Sequence, residues 1–170
     1  AALEKDPENP DALRLQKQIA VKTELTQIEQ RGDAALAAGN LDAAITAFEE
    51  ALALAPGDTA LAGKLNRTRV RRGLDQARAA IDADELTQAE ALLKDAQLLD
   101  PDSEDILGLL AQIETQRGYD TFVQQGDRAK EAGDFGRAKR FYRQAKELIP
   151  GKEIDQLLEE LDYAQYLTQA

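Results

Sequence analysis

A long block of sequence that occurs twice limits what this chain can fold into more than any other feature. Gln30-Arg31-Gly32-Asp33 lies over Gln124-Gln125-Gly126-Asp127, and the match runs on from Gly39, Ala44, Phe48, Ala51, Pro56 and Gly57 to Gly133, Ala138, Tyr142, Ala145, Pro150 and Gly151. Between them lies a more divergent third copy, carrying Ala77, Leu86, Ala89, Leu93, Ala96 and Pro101. Three stacked copies of one unit, rather than one irregular core, is the organisation this implies.

Each recurring residue has a mechanical reason for its place. Gly39 and Gly133 suit the left-handed conformation that ends a helix, and Asn40 and Asp134 can cap the start of the next. Ala44, Ala89 and Ala138, with Ala51, Ala96 and Ala145 seven residues on, put small side chains on one helical face and let a neighbouring helix approach closely. Phe48, Leu93 and Tyr142 fill the space between them. Pro56, Pro101 and Pro150 end the second helix, because proline lacks the backbone donor and the residue before it resists helical geometry. Asp58, and Asp102 or Ser103, then offer caps for the helix that follows.

This pattern resembles the tetratricopeptide repeat, whose signature runs Trp, Leu-Gly, Tyr, then Ala, Phe and Pro. The second half of the signature is matched in all three copies. In the first half only the glycine position holds, as Gly32, Ala77 and Gly126; Arg31, Gln76 and Gln125 replace Leu, and Ala35, Ala80 and Ala129 replace Tyr. The resemblance implies an all-α fold: an α-solenoid of about three antiparallel hairpins, a superhelix, with a closing C-terminal helix. The predicted division is 9–56, 57–101 and 102–150 for the repeats, with 1–8 as the tail of a preceding second helix and 151–170 as a cap or the start of a next repeat. Such ends fit a piece cut from a longer array.

The period departs from the family. Pro7, Pro56, Pro101 and Pro150 stand 49, 45 and 49 residues apart, against 34 for the repeat. Glycine-to-proline spacing within the second-helix half is constant, so the extra residues lengthen the first helix. Asn9 to Ala38 and Ser103 to Ala132 each read as a helix of about 45 Å at ~1.5 Å per residue, and the second helices as about half that. The overhangs are expected to pack together through Leu15, Ile19, Leu25 and Ile28, and through Leu109, Leu110, Ile113, Tyr119 and Phe122. Gly73 and Gly118 either kink these helices or divide each in two. An array of the HEAT type has a closer period but leaves the Gly, Ala, Phe and Pro series unexplained.

Composition narrows the chemistry. The 170 residues hold no histidine and no cysteine, which removes the usual bases, nucleophiles and soft metal ligands, so no enzyme, cofactor or metal site is expected. A net charge of −11 argues against nucleic acid and anionic membranes as partners, and no apolar stretch has the length of a membrane span. Asp100-Pro101-Asp102-Ser103-Glu104-Asp105 imitates a calcium loop, yet Asp105 stands where Gly is required and Ala111 where Glu is required. Paired carboxylates such as Asp82 and Asp84 have no nucleophile or phosphate loop beside them. Compartment stays open.

The expected function is therefore a protein-interaction scaffold that holds a peptide or helix of a partner in a concave groove. The alternative is a structural spacer or self-associating stalk. Lys64, Arg67, Arg71 and Arg78 share one helical face, a basic stripe in an acidic chain. In the resembled family the first helices line the groove, which would place Arg71 and Arg78 there, opposite Glu29 and Asp33 on one side and Asp120 and Asp127 on the other. The stripe is either a solvated face paired with neighbouring carboxylates or an anchor for an acidic peptide. Family members that capture chaperone tails use Lys and Asn where this chain has Glu29 and Asp33, so that ligand is not expected. A second candidate patch comprises Arg137, Lys139, Arg140, Phe141, Arg143 and Lys146. Phe141 there either packs on the closing helix or stands exposed as an anchor.

Overall fold

Helix-forming alanine, leucine and charged residues, broken by glycine and proline at fixed intervals, give a chain of seven helices and no strand among the described residues, 9–169, of this computed structural model. They are α1 (Pro10–Ala37), α2 (Leu41–Leu54), α3 (Thr59–Asp82), α4 (Leu86–Gln97), α5 (Glu104–Glu131), α6 (Phe135–Leu148) and α7 (Lys152–Gln169). The segment 1–8, read above as a tail of a preceding helix, lies outside the described residues. Long and short helices alternate: 28, 24 and 28 residues for α1, α3 and α5 against 14, 12 and 14 for α2, α4 and α6.

The turn inside each hairpin is the same motif three times. Gly39, Asp84 and Gly133 are left-handed, with φ of 75°, 61° and 75°. The next residue's N–H reaches back to a carbonyl five residues earlier, from Asn40 to Ala35 (2.9 Å), Glu85 to Ala80 (2.8 Å) and Asp134 to Ala129 (2.9 Å). This satisfies carbonyls that the helix end would otherwise leave open. The Asn40 and Asp134 side chains then accept the Ala43 and Arg137 N–H groups to start α2 and α6, whereas Glu85 makes no such bond at α4.

The chain divides into two compact units, Ala1–Ser103 and Glu104–Ala170. In the first, α1 packs on α2, α2 on α3 and α3 on α4. Its core gathers Ala44, Ile45, Phe48, Ala51, Leu61 and Leu65, with Leu25, Ile28, Ala35, Leu36 and Leu52 around them. The second unit pairs α5 with α6 and lays α7 on α6. Its core holds Ala129, Ala138, Tyr142, Ala145, Ile154 and Leu161, flanked by Tyr119, Phe122, Phe135 and Phe141. Phe141 is thus half-buried packing.

A glycine–aromatic contact explains the atypical first helices. A Cβ added to Gly32 would stand 2.5 Å from Cε1 of Phe48, and one on Gly126 would collide with the Tyr142 ring. The ring takes the space that a side chain on the opposing helix would need. In the middle hairpin both partners change together: Ala77 faces Leu93, and both are buried.

Two expectations need correction. Leu15 and Ile19 do not pack an overhang; they are 57% and 58% exposed, and most of α1 before Leu25 is open. Leu61 and Leu65, through which α3 joins the core with α2, correspond on α1 to Gln16 and Ala20. Of the two readings of Gly73 and Gly118, division of the helix is overturned, since α3 and α5 run through them. They mark close approaches: a Cβ on Gly73 would lie 3.2 Å from that of Ala96, and one on Gly118 would lie 2.9 Å from Leu148.

Candidate functional site

Helix α3 is the basic element of the first unit, and its cations separate into two sets. Lys64 donates to Glu29 at 2.8 Å and Asp33 at 2.9 Å on α1, and its ammonium lies 5.9 Å from the centre of the Phe48 ring. Its pKa is held above the ordinary value, first by the hydrogen bonds to Glu29 and Asp33 and then by their charge. On the other flank, Arg69 pairs with Glu49 at 2.6 Å and Arg72 with Asp42 at 2.9 Å, tying α3 to α2. Arg78 lies 3.7 Å from Asp75 on its own helix.

Arg67 and Arg71 are different. Both are exposed, and neither has an ion-pair partner among the described residues. With Asp33, Leu36, Lys64 and Thr68 they line a cleft of about 290 Å³ between α1 and α3. The glycine one turn before Arg67 leaves room for its head, since a Cβ on Gly63 would sit 3.3 Å from Nη1. The cleft is lined by Leu36 and Thr68, by Asp33, which shares Lys64 with Glu29, and by two unengaged guanidiniums. Such a surface holds carboxylates through paired N–H groups.

The predicted stripe is therefore divided by its ion pairing. Lys64 is paired with Glu29 and Asp33 and Arg78 has an acid beside it, while Arg67 and Arg71 have no ion-pair partner among the described residues. The acids thought to alternate with them are also engaged. Glu29 and Asp33 hold Lys64, Asp120 accepts from Gln116 Nε2 at 3.0 Å, and Asp127 accepts the Tyr142 hydroxyl at 2.6 Å. That bond and the buried ring push the Tyr142 hydroxyl well above the usual tyrosine range, burial being the larger cause.

In the second unit, Lys139 is taken by Asp162 and by Gln165, Lys146 by Asp155, and Lys130 by Glu160 at 2.8 Å, all on α7. Arg137 lies over the Phe141 ring, 5.6 Å from its centre. Arg140 and Arg143 project into solvent. A cleft of about 380 Å³ opens between α5 and α6 beside their turn, lined by Gln125, Arg128, Ala129, Ala132, Asp134, Arg137 and Phe141. Arg128 escaped the reading of the sequence, as did Leu36 and Thr68. Comparison of the copies was the available signal, because Arg128 stands where the other hairpins have Ala34 and Ala79.

Among the described residues no group of carboxylates is arranged to hold a metal ion, and no helix is long and apolar enough to cross a membrane. Residues 35–113, from the end of α1 into α5, match the family model of the tetratricopeptide repeat. The chain is tetratricopeptide-repeat-like across that span, with a longer first helix than the family's. No curated protein matches it.

Proposed function

We propose, from the premise that this is a tetratricopeptide-repeat-like chain, that it is a non-catalytic scaffold holding an acidic segment of a partner protein, with Arg67 and Arg71 as the anchor. Repeats of this kind mediate contacts between proteins. The observation that carries the finer reading is the contrast along α3: Lys64, Arg69 and Arg72 are each matched to a carboxylate on another helix and Arg78 to Asp75 on its own, whereas Arg67 and Arg71, both on the cleft, have no ion-pair partner among the described residues. A guanidinium is less strongly hydrated than an ammonium and presents its donors as a planar fork, so a pair of them favours carboxylates in a peptide over a diffuse anion. Leu36 adds an apolar contact beside the charge.

The test is binding of a fluorescein-labelled acidic peptide to the whole chain and to the Arg67→Glu/Arg71→Glu variant, with helix content followed by circular dichroism. Reversal is expected to weaken binding roughly tenfold or more while helix content and melting stay unchanged. Equal binding by both proteins contradicts the assignment. A second reading, self-association, is favoured by α7, where Tyr163 and Tyr166 are 67% and 70% exposed beside exposed Leu167. A solution mass that rises with concentration, and falls when both tyrosines become serine, distinguishes it.

A further inference from the structure

The third hairpin departs from its two siblings on one small surface. Arg128, Arg137 and Phe141 occupy positions held by Ala34, Ala43 and Ala47 in the first hairpin and by Ala79, Gln88 and Leu92 in the second. The repeat therefore folds without them. All three line the cleft beside the α5–α6 turn. It is a different place from the α1–α3 cleft, since it lies within one hairpin and not between successive first helices.

The cleft's chemistry is specific. Neither Arg128 nor Arg137 has a carboxylate within ion-pair distance among the described residues, although every lysine on α6 has found one on α7. The only carboxylate in the lining, Asp134, is committed to the helix start, where it accepts the Arg137 N–H at 2.9 Å. Phe141 forms an apolar wall with one guanidinium stacked on it, and Ala129 and Ala132 form a shallow floor. Stacking holds the Arg137 head in place, so less freedom is lost when an anion binds.

We propose that this cleft is a second recognition site, for a short acidic peptide segment in which an aliphatic or aromatic residue lies next to a carboxylate. The carboxylate bridges Arg128 and Arg137, and the apolar neighbour covers Phe141 and the alanine floor. Both parts are required, because an exposed ion pair alone contributes little.

The two arginines are exposed, whereas Phe141 also packs on the second unit's core, so melting is followed alongside binding for Phe141→Ala. Arg128→Ala, Arg137→Ala and Phe141→Ala each install the residue that the first hairpin already carries. In the whole chain, with the first cleft silenced by Arg67→Glu/Arg71→Glu, a fluorescein-labelled hexapeptide alternating Glu and Leu is titrated and its anisotropy followed. Saturable binding is expected, weakened roughly tenfold or more by each arginine substitution, and weakened also by Phe141→Ala and by replacing Leu with Ser in the peptide. A hexapeptide alternating Lys and Leu should not bind. In the parent with the first cleft silenced, the Arg128 and Arg137 Nε–Hε resonances should shift to saturation with the same midpoint. Unchanged affinity in Arg128→Ala/Arg137→Ala, equal binding of the Glu–Ser peptide, or absence of binding would overturn the site. Because the first cleft is already silenced, none of these results bears on it.

Discussion

The left-handed residue in each hairpin turn shows how local conformation is enforced one position at a time. Gly39 and Gly133 adopt φ of 75° without a side chain to clash, whereas Asp84 adopts 61° with one. Asp84→Gly should therefore stabilise the chain by about 0.5–1 kcal/mol, and Glu85→Asn, which restores the missing cap on α4, by a similar ~0.5–1 kcal/mol. Urea midpoints at fixed slope measure both; a loss of stability in either contradicts the account of the turn. The glycine–ring contact makes a sharper claim. Gly32→Ala alone should cost roughly 1–3 kcal/mol through overpacking against Phe48. Joined to Phe48→Leu, it recreates the Ala77–Leu93 pair, so the double variant should be more stable than the sum of the singles by about 1 kcal/mol. Strict additivity would mean that the ring and the glycine do not face each other as described.

At the scale of the helices, the second helices and turns were legible from the sequence because their constraints are local. A glycine, a cap and a proline within a few residues specify a turn, and alanines seven apart with an aromatic between them specify a buried face. The reach of the first helices was legible as well, from proline spacing. What covers them was not. Leu15 and Ile19 carry an apolar pattern, yet burial depends on what lies opposite, which a pattern on one helix does not encode. Ile113, the counterpart of Ile19, is only 2% exposed. Ile113→Ala should cost about 2–4 kcal/mol, while Leu15→Gln and Ile19→Gln should change stability by less than about 0.5 kcal/mol. Amide exchange should likewise be fast over the first half of α1 and slow in α3, whose buried positions continue through Ala80. Comparable protection in both contradicts the open end of α1. Ion pairing was equally hidden, since the sequence shows Lys64, Arg69 and Arg72 as cations without showing which carboxylate on another helix each one reaches.

For the whole molecule, charge links fold and function. With acid in surplus over base, many cations find a carboxylate at home, and the two clefts are worth testing because the arginines that line them do not. The same pairing sets an alkaline limit on stability. Lys64 in one unit and Tyr142 in the other both have raised pKa values, so the folded state binds their protons more tightly than the unfolded chain does. Their contribution is complete below about pH 10, where the unfolded groups begin to titrate, and is lost as pH rises through the folded values. Tyr142→Phe keeps the ring and removes the bond to Asp127, and should cost about 1 kcal/mol near neutrality. That deficit should shrink above about pH 10; a deficit constant to higher pH contradicts the linkage.

The candidate clefts were half visible beforehand. Arg67, Arg71, Arg137 and Phe141 declared themselves by charge and spacing, but only the three-dimensional structure shows that Lys64, Lys139 and the four acids already have partners. The most direct measurement of the central claim is a two-dimensional NMR titration of the whole chain with the acidic peptide, following the arginine Nε–Hε groups. Saturable shifts at Arg67 and Arg71, with the guanidiniums of Arg69 and Arg72 unmoved in their ion pairs, are the predicted result. No shift, or weak unsaturated shifts spread over all the arginines, would contradict it.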